Sequence, residues 1–244
     1  MKPLIRNEKN AGLWRRNIGA DSDVIAARQP SRRAFAAGLA ASLAGVMTLR
    51  RAKAAQPIRL VGFGDSLMAG YGVAPQDAFP VKLEKALKAA GRNVSIANAG
   101  VSGDTASGGA DRVDWSVPEG VQGVILELGA NDMLRGVDPK TTRAAIGRIL
   151  DRLKERNIPV MLAGMRAAPN LGPDFGQQFE RIYADFARER DLVLYPFFLE
   201  GVAGDRALNQ TDGIHPNAKG VDVIVAGILP TVERFLDRIE GGKG

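Results

Sequence analysis

The sequence predicts an α/β fold in three layers, with a five-stranded parallel sheet covered by helices on both faces. From residue 58 onward, short apolar runs of strand length alternate with longer stretches of helical periodicity, the order that builds parallel sheets. The first run, Ile58 to Phe63, is apolar on both sides, as a strand buried on both faces requires. With 45% hydrophobic residues, and no repeat or low-complexity tract after Ala55, the chain has enough apolar material for one core of ~190 residues.

Taken in order, Ile58, Leu60, Val61 and Phe63 form the first strand, and Gly62, Gly64 and Gly70 punctuate it and the turn that follows. Residues 80–90 predict an amphipathic helix, with Val81, Leu83, Leu87 and Ala90 on one side and Gly91 as its stop. Residues 94–97 predict the second strand. The stretch 98–109 is rich in Gly, Ser, Asp and Thr and reads as a loop, with a short helix over 110–115. Residues 121–128 predict the third strand, with 129–135 as its exit loop. A long amphipathic helix over 139–156 carries Ile146, Ile149, Leu150 and Leu153. Residues 159–163 form a fourth strand, and 175–190 a helix with Phe179, Ile182, Tyr183 and Phe186 on one face. A fifth strand covers 192–195. Pro216 opens a last helix over 218–239, with Val221, Ile224, Ile228, Val232 and Phe235 at helical spacing and a kink expected at Pro230.

Residues 1–54 read as an N-terminal extension and signal peptide, and 55–244 as one domain. The first 54 residues hold 11 Lys+Arg and 3 Asp+Glu, against 33 and 27 in the whole chain, so 22 and 24 remain for the domain. The basic character therefore belongs to the leader, and nothing in it argues for a nucleic-acid partner. Ser31-Arg32-Arg33-Ala34-Phe35 is a twin-arginine pattern ahead of an alanine-rich apolar stretch that ends in Ala52-Lys53-Ala54, an A-x-A cleavage signal. Export to the periplasm by the twin-arginine route, with cleavage near Ala54, is the expectation. As an uncleaved anchor the stretch falls short of the ~20 residues a spanning helix needs. The absence of cysteine excludes disulfides and thiolate metal sites, and a single histidine argues against a His-rich zinc site. No cofactor is expected.

The chemistry centres on Ser66, which ends an apolar strand inside the turn of VGFGDSLMAGY. Serine is a weak nucleophile unless a base activates it. The base is expected to be His215, the single histidine, with Asp212 three residues ahead of it and Gly213 turning the backbone between them. One loop then carries both side chains, the carboxylate setting the imidazole tautomer and leaving the other ring nitrogen to take the proton of Ser66. Ser66 is outside any G-x-S-x-G elbow, because Met68 stands two residues beyond it.

Four blocks in this order, Gly64-Asp65-Ser66-Leu67, Ser102-Gly103-Asp104-Thr105, Gly129-Ala130-Asn131-Asp132 and Asp212-Gly213-Ile214-His215-Pro216, resemble those of the GDSL, or SGNH, hydrolases. Leu126-Glu127-Leu128, Arg166 with Pro169-Asn170, and Pro196-Phe197-Phe198 extend the resemblance, which runs from Pro57 to the C-terminus. It implies the flavodoxin-like strand order 2-1-3-4-5 and a cleft at the carboxyl ends of the strands, where open α/β sheets bind ligands. It also implies Ser66, Asp212 and His215 as catalytic residues, and Gly103 and Asn131 as oxyanion donors beside the backbone N–H of Ser66. The implied activity is cofactor-independent hydrolysis of acyl esters and acyl thioesters through an acyl-enzyme, of thioesterase, lysophospholipase and arylesterase type. The implied partner is a small-molecule acyl ester or thioester met by a monomer, with transient contact with membrane lipid allowed.

Asp65, Asp104 and Asp132 neighbour these positions and are expected to hold loops through backbone hydrogen bonds. Met133, Leu134, Met165, Leu171 and Phe197 are expected to line an acyl groove. Two other readings compete: a carbohydrate O-deacetylase with the same constellation, and a flavodoxin-like binding or receiver module. The second lacks a Lys beside the first loop and any P-loop pattern.

Overall fold

In the computed structural model, which describes residues 56–242, five strands pair in parallel in the order β2-β1-β3-β4-β5. They are β1 (Ile58–Gly64), β2 (Val94–Gly100), β3 (Gly123–Glu127), β4 (Val160–Ala163) and β5 (Val193–Tyr195). This is the predicted class and order. The arginine pair Arg32-Arg33 and the Ala52-Lys53-Ala54 cleavage signal lie outside the described residues.

Seven α-helices occur among the described residues: α1 (Ser66–Ala69), α2 (Phe79–Ala89), α3 (Ala106–Ser116), α4 (Ala130–Leu134), α5 (Pro139–Glu155), α6 (Pro173–Glu189) and α7 (Ala218–Glu240). Side-chain alternation along β1 assigns them to layers. Leu60 meets Phe235 and Ile239 of α7 around Gly123, and Gly62 faces Met68 and Pro80, so the even positions face α2 and α7. Phe63 points the other way, toward Gly109 of α3 and Ile149 of α5. Both faces of β1 are thereby covered, and Leu60 to Gly64 are buried.

Four differences from the sequence reading have local causes. β2 runs three residues further than predicted, because Asn98, Ala99 and Gly100 pair with Gly62, Phe63 and Gly64 despite their small or polar side chains. Ladder pairing overrides weak strand propensity there. α3 begins four residues early, where Thr105 caps it by accepting from the Gly108 amide at 3.2 Å. The predicted exit loop after β3 contains α4, and the turn after β1 contains α1. As expected of one helix carrying an internal proline, α7 includes Pro230, with Ile228, Thr231 and Val232 buried around it.

Arg112, on α3 and buried, ties the carboxyl ends of two strands together. Its Nη2 donates to the Gly64 carbonyl at 2.8 Å and its Nη1 to the Ala99 carbonyl at 2.9 Å. Nε donates to Asp104 Oδ2 at 2.7 Å, and the guanidinium lies 4.1 Å from the Phe63 ring centroid. Cutting this pair leaves a carboxylate with little water and takes a donor from each of two strand-end carbonyls. Arg112→Met is expected to lower unfolding stability by about 3–5 kcal/mol in urea titrations; an unchanged midpoint would show that Arg112 is not the tie.

Candidate active site

β1 stops where β3 comes too close for a side chain: a Cβ on Gly64 would sit 2.4 Å from the Glu127 carbonyl oxygen. The chain turns at Asp65, which caps α1 by accepting from the Leu67 amide at 3.0 Å. Ser66 is the first residue of α1, so its own amide has no acceptor within the helix. Gly70, in the left-handed region, closes α1, and the amides of Gly70 and Tyr71 both bond back to the Ser66 carbonyl at 3.1 Å.

Seventeen positions beyond β5, the second half of the site is built by a short loop. Asn209 and Pro216 pair across its base, and the Gln210 amide bonds the His215 carbonyl at 2.8 Å. Asp212 Oδ1 accepts from the amides of Ile214 and His215, each at 3.0 Å, which shapes the turn. The other oxygen, Oδ2, lies 2.7 Å from His215 Nδ1, and His215 Nε2 lies 2.9 Å from Ser66 Oγ. Hydrogen bonding to the His215 ring, then to its amide, holds the Asp212 carboxyl down at about 2. Ionised at neutral pH, it accepts only, so the proton sits on Nδ1 and Nε2 is free to accept from the serine hydroxyl. Asp212 thus serves both as turn residue and as imidazole partner. Asn217 caps α7 just beyond, accepting from the amides of Lys219 and Gly220.

Asn131 stands on α4, where its Nδ2 donates to Asp65 Oδ2 at 3.1 Å; an amide has a second N–H to offer. Gly103 lies in the left-handed region at φ 83 and is exposed. Its carbonyl accepts from Arg135 Nη2 at 2.8 Å, which links its loop to the end of the helix that carries Asn131. Ser66, His215 and Asp212 therefore meet in one hydrogen-bonded chain, whereas Gly103 sits on an adjoining loop without lining the groove beside Ser66.

That groove has a volume of about 290 Å³ and is walled by Met133, Leu134, Met165, Phe197, Leu199 and Ile214, together with Ser66, Asn131 and His215. Leu171, expected in its wall, is absent from it, although Pro169 of the same 3-10 turn is present. A larger cavity of about 590 Å³ lies at the opposite edge of the sheet, beside the amino ends of β4 and β5, and contains none of these residues. No group of three His, Asp or Glu side chains among the described residues is arranged to hold a metal ion.

Residues 63–223 match the model of the GDSL-like Lipase/Acylhydrolase family. The chain belongs to that family. It is 34% identical to the esterase TesA of Pseudomonas aeruginosa over 81% of this chain and 98% of the relative. To thioesterase 1/protease 1/lysophospholipase L1 of Escherichia coli K12 it is 36% identical, over 70% of this chain and 81% of the relative. Among solved structures, AlinE4, an SGNH-hydrolase family esterase, is similar with a TM-score of 0.63 and 43% identity, over 74% of this chain and 97% of that one.

This acylhydrolase keeps two further carboxyls beneath the serine. Asp65 and Glu127 are both fully buried, and Glu127 Oε2 faces the Asp65 amide at 3.4 Å. Burial pushes the Asp65 carboxyl up to about 6, against the pull of the Leu67 amide and the Asn131 side chain. Burial, then the neighbouring Asp65, raises Glu127 well above the usual carboxylate range. Two of the three neighbouring aspartates act on backbone as expected: Asp65 on Leu67, and Asp132 on the Ala106 amide at 2.8 Å. Asp104 departs, since its partner is the Arg112 guanidinium. Sequence reasoning missed the roles of Arg112 and Glu127. A glutamate inside the apolar run Val124-Ile125-Leu126 to Leu128 was a usable signal; an arginine on a short helix was not.

A carboxyl whose folded pKa is raised keeps its proton while the unfolded chain releases it, so stability falls as pH rises above the unfolded value near 4.3. Glu127→Gln removes that slope. Its melting temperature is expected to gain on wild type as pH rises from 5 to 8, by about 3–6 °C for each unit over which only the native Glu127 holds its proton. Parallel melting curves against pH would contradict a neutral Glu127.

Proposed function

We propose that this acylhydrolase cleaves acyl esters, and thioesters of the same acyl groups, through an acyl-enzyme on Ser66. Family membership makes it a hydrolase acting on ester bonds; the residue roles are our assignment. The observation that carries it is the unbroken chain Asp212 Oδ2, His215 Nδ1, His215 Nε2, Ser66 Oγ, with links of 2.7 and 2.9 Å.

His215 Nε2 takes the hydroxyl proton as Ser66 Oγ attacks the acyl carbon. Negative charge collects on the former carbonyl oxygen, where the Ser66 amide, the free N–H of Asn131 and the Gly103 amide serve as donors. As the tetrahedral centre collapses, the bond to the leaving group breaks and His215 returns the proton to it. Water, deprotonated by the same imidazole, then attacks the acyl-enzyme; the bond to Ser66 Oγ breaks, His215 hands the proton to that oxygen, and the acid is released. The apolar groove suits an acyl chain, with methionines able to adapt to its shape. Those apolar walls are also why the acyl ester reading is preferred over the carbohydrate O-deacetylase.

The thioesterase and lysophospholipase names of the Escherichia coli relative support the wider substrate range. The leader composition supports export to the periplasm by the twin-arginine route, with cleavage near Ala54 and residues 55–244 as the mature domain. Action as a monomer, with passing contact with membrane lipid when the substrate is a lipid ester, completes the reading.

The purified protein is expected to be labelled by a fluorophosphonate and to hydrolyse p-nitrophenyl esters. Ser66→Ala should abolish both, and Asp212→Asn should lower kcat by about 10⁴-fold by presenting the wrong tautomer. Folded wild type that neither labels nor turns over would end the enzyme reading. Separately, Asn131→Ala is expected to reduce kcat by about 10²–10³-fold with little change in KM, and a loss confined to KM would remove Asn131 from the oxyanion site.

A further inference from the structure

Tyr71 is one of the few large apolar side chains left exposed among the described residues, at 53%, and it stands beside the catalytic imidazole. Its ring centroid is 4.6 Å from that of His215, with the planes tilted by 39°. It contributes nothing to the wall of the apolar groove; instead it lines a small crevice with Ser66, Gly70, Val73 and His215. Ser66 and His215 therefore stand between two surfaces: the groove on one side and the Tyr71 ring on the other.

The Tyr71 backbone is held in place from both halves of the site. Its amide bonds the Ser66 carbonyl at 3.1 Å. Its carbonyl accepts from Gln210 Nε2 at 2.7 Å, and the same nitrogen donates to the Pro216 carbonyl at 3.0 Å. Gln210 thus staples the turn after β1 to the loop that carries His215. An aromatic side chain carried on so firmly held a backbone, yet left half in water, is poorly explained by core packing.

We infer that Tyr71 is the surface that receives the leaving group, and that it favours esters of aromatic alcohols over esters of alkyl alcohols of equal acidity. The inference rests on the assignment of Ser66 and His215 proposed above. When the tetrahedral centre collapses, the electron pair of the breaking C–O bond goes to the leaving oxygen, and His215 Nε2 supplies its proton. That oxygen must then lie within about 2.6–3.2 Å of Nε2. The acyl chain occupies the groove, so the leaving group extends along the imidazole toward the side that Tyr71 covers. An aryl group there adds a third ring to the Tyr71–His215 pair, at the centroid spacing of about 4.5–7 Å at which aromatic rings attract. An alkyl group gains only ordinary contact.

The test compares kcat/KM for phenyl butyrate and 2,2,2-trifluoroethyl butyrate, which share an acyl group, in the full chain; comparing their ratio between wild type and variant cancels the difference in leaving-group acidity. Tyr71→Leu is expected to lower the phenyl-to-trifluoroethyl ratio by roughly three- to tenfold, and Tyr71→Phe to retain it. A fall of both substrates by the same factor would make Tyr71 a mere support for His215 and overturn the inference. An unchanged ratio would overturn it too. Tyr71→Ala repeats the comparison if the leucine variant misfolds. Wild type inactive on both esters would instead sink the serine-esterase assignment itself, a result separable from either of these.

Discussion

The catalytic edge depends on one buried guanidinium. Carbonyls at the ends of parallel strands run past their ladder partners, and burying them short of donors is costly; the Gly64 carbonyl takes one bond from the Val101 amide at 3.0 Å and a second from Arg112. Arg112 offers a planar fork of five N–H groups, and it spends them on the Gly64 carbonyl, the Ala99 carbonyl, Ser116 Oγ and Asp104. Its face rests on Phe63, so the same side chain closes the core below the strand ends. Ser66 begins only two residues beyond Gly64, and the Gly103 loop leaves β2 just beyond Ala99. A lysine in its place would supply a point charge and could not bridge these groups at once.

Around this anchor, the same kind of side chain is set to opposite ends of its range. Asp212, near the surface and hydrogen-bonded to an imidazole and two amides, stays ionised down to about 2. Asp65, buried under the serine, is raised to about 6, and burial with Asp65 beside it raises Glu127 well above the usual carboxylate range. Environment divides the labour, as it does wherever two carboxyls serve one site. The ionised group holds the His215 ring. The buried pair holds the Asn131 amide and the start of α1 from below, and so connects the packing of β1 and β3 to the side of Ser66 on which Asn131 stands.

Much of this was legible in the sequence. Five apolar runs alternating with amphipathic stretches define a parallel sheet, and each expected strand overlaps an observed one. That Ser66, His215 and Asp212 meet was readable because a single histidine left one imidazole to pair with the serine and a turn-forming glycine placed the aspartate beside it. Less legible were features that local composition does not encode. The end of β2 is polar and glycine-rich, and only its pairing with Gly62, Phe63 and Gly64 makes it a strand. α1 and α4 are too short to show a period. Leu171 shares a segment with groove residues, yet the 3-10 turn at Pro169 directs it elsewhere. Arg112 looks like any surface arginine until α3 packs against the sheet.

The central claim is that acyl transfer passes through Ser66. Its most direct test is to mix the protein with a p-nitrophenyl ester, quench in acid within the first turnover, and map the acyl adduct by peptide mass spectrometry. The account predicts a burst of nitrophenol approaching one per chain, with the acyl mass on the peptide containing Ser66. Turnover with neither burst nor adduct, or with the adduct on another residue, would contradict it.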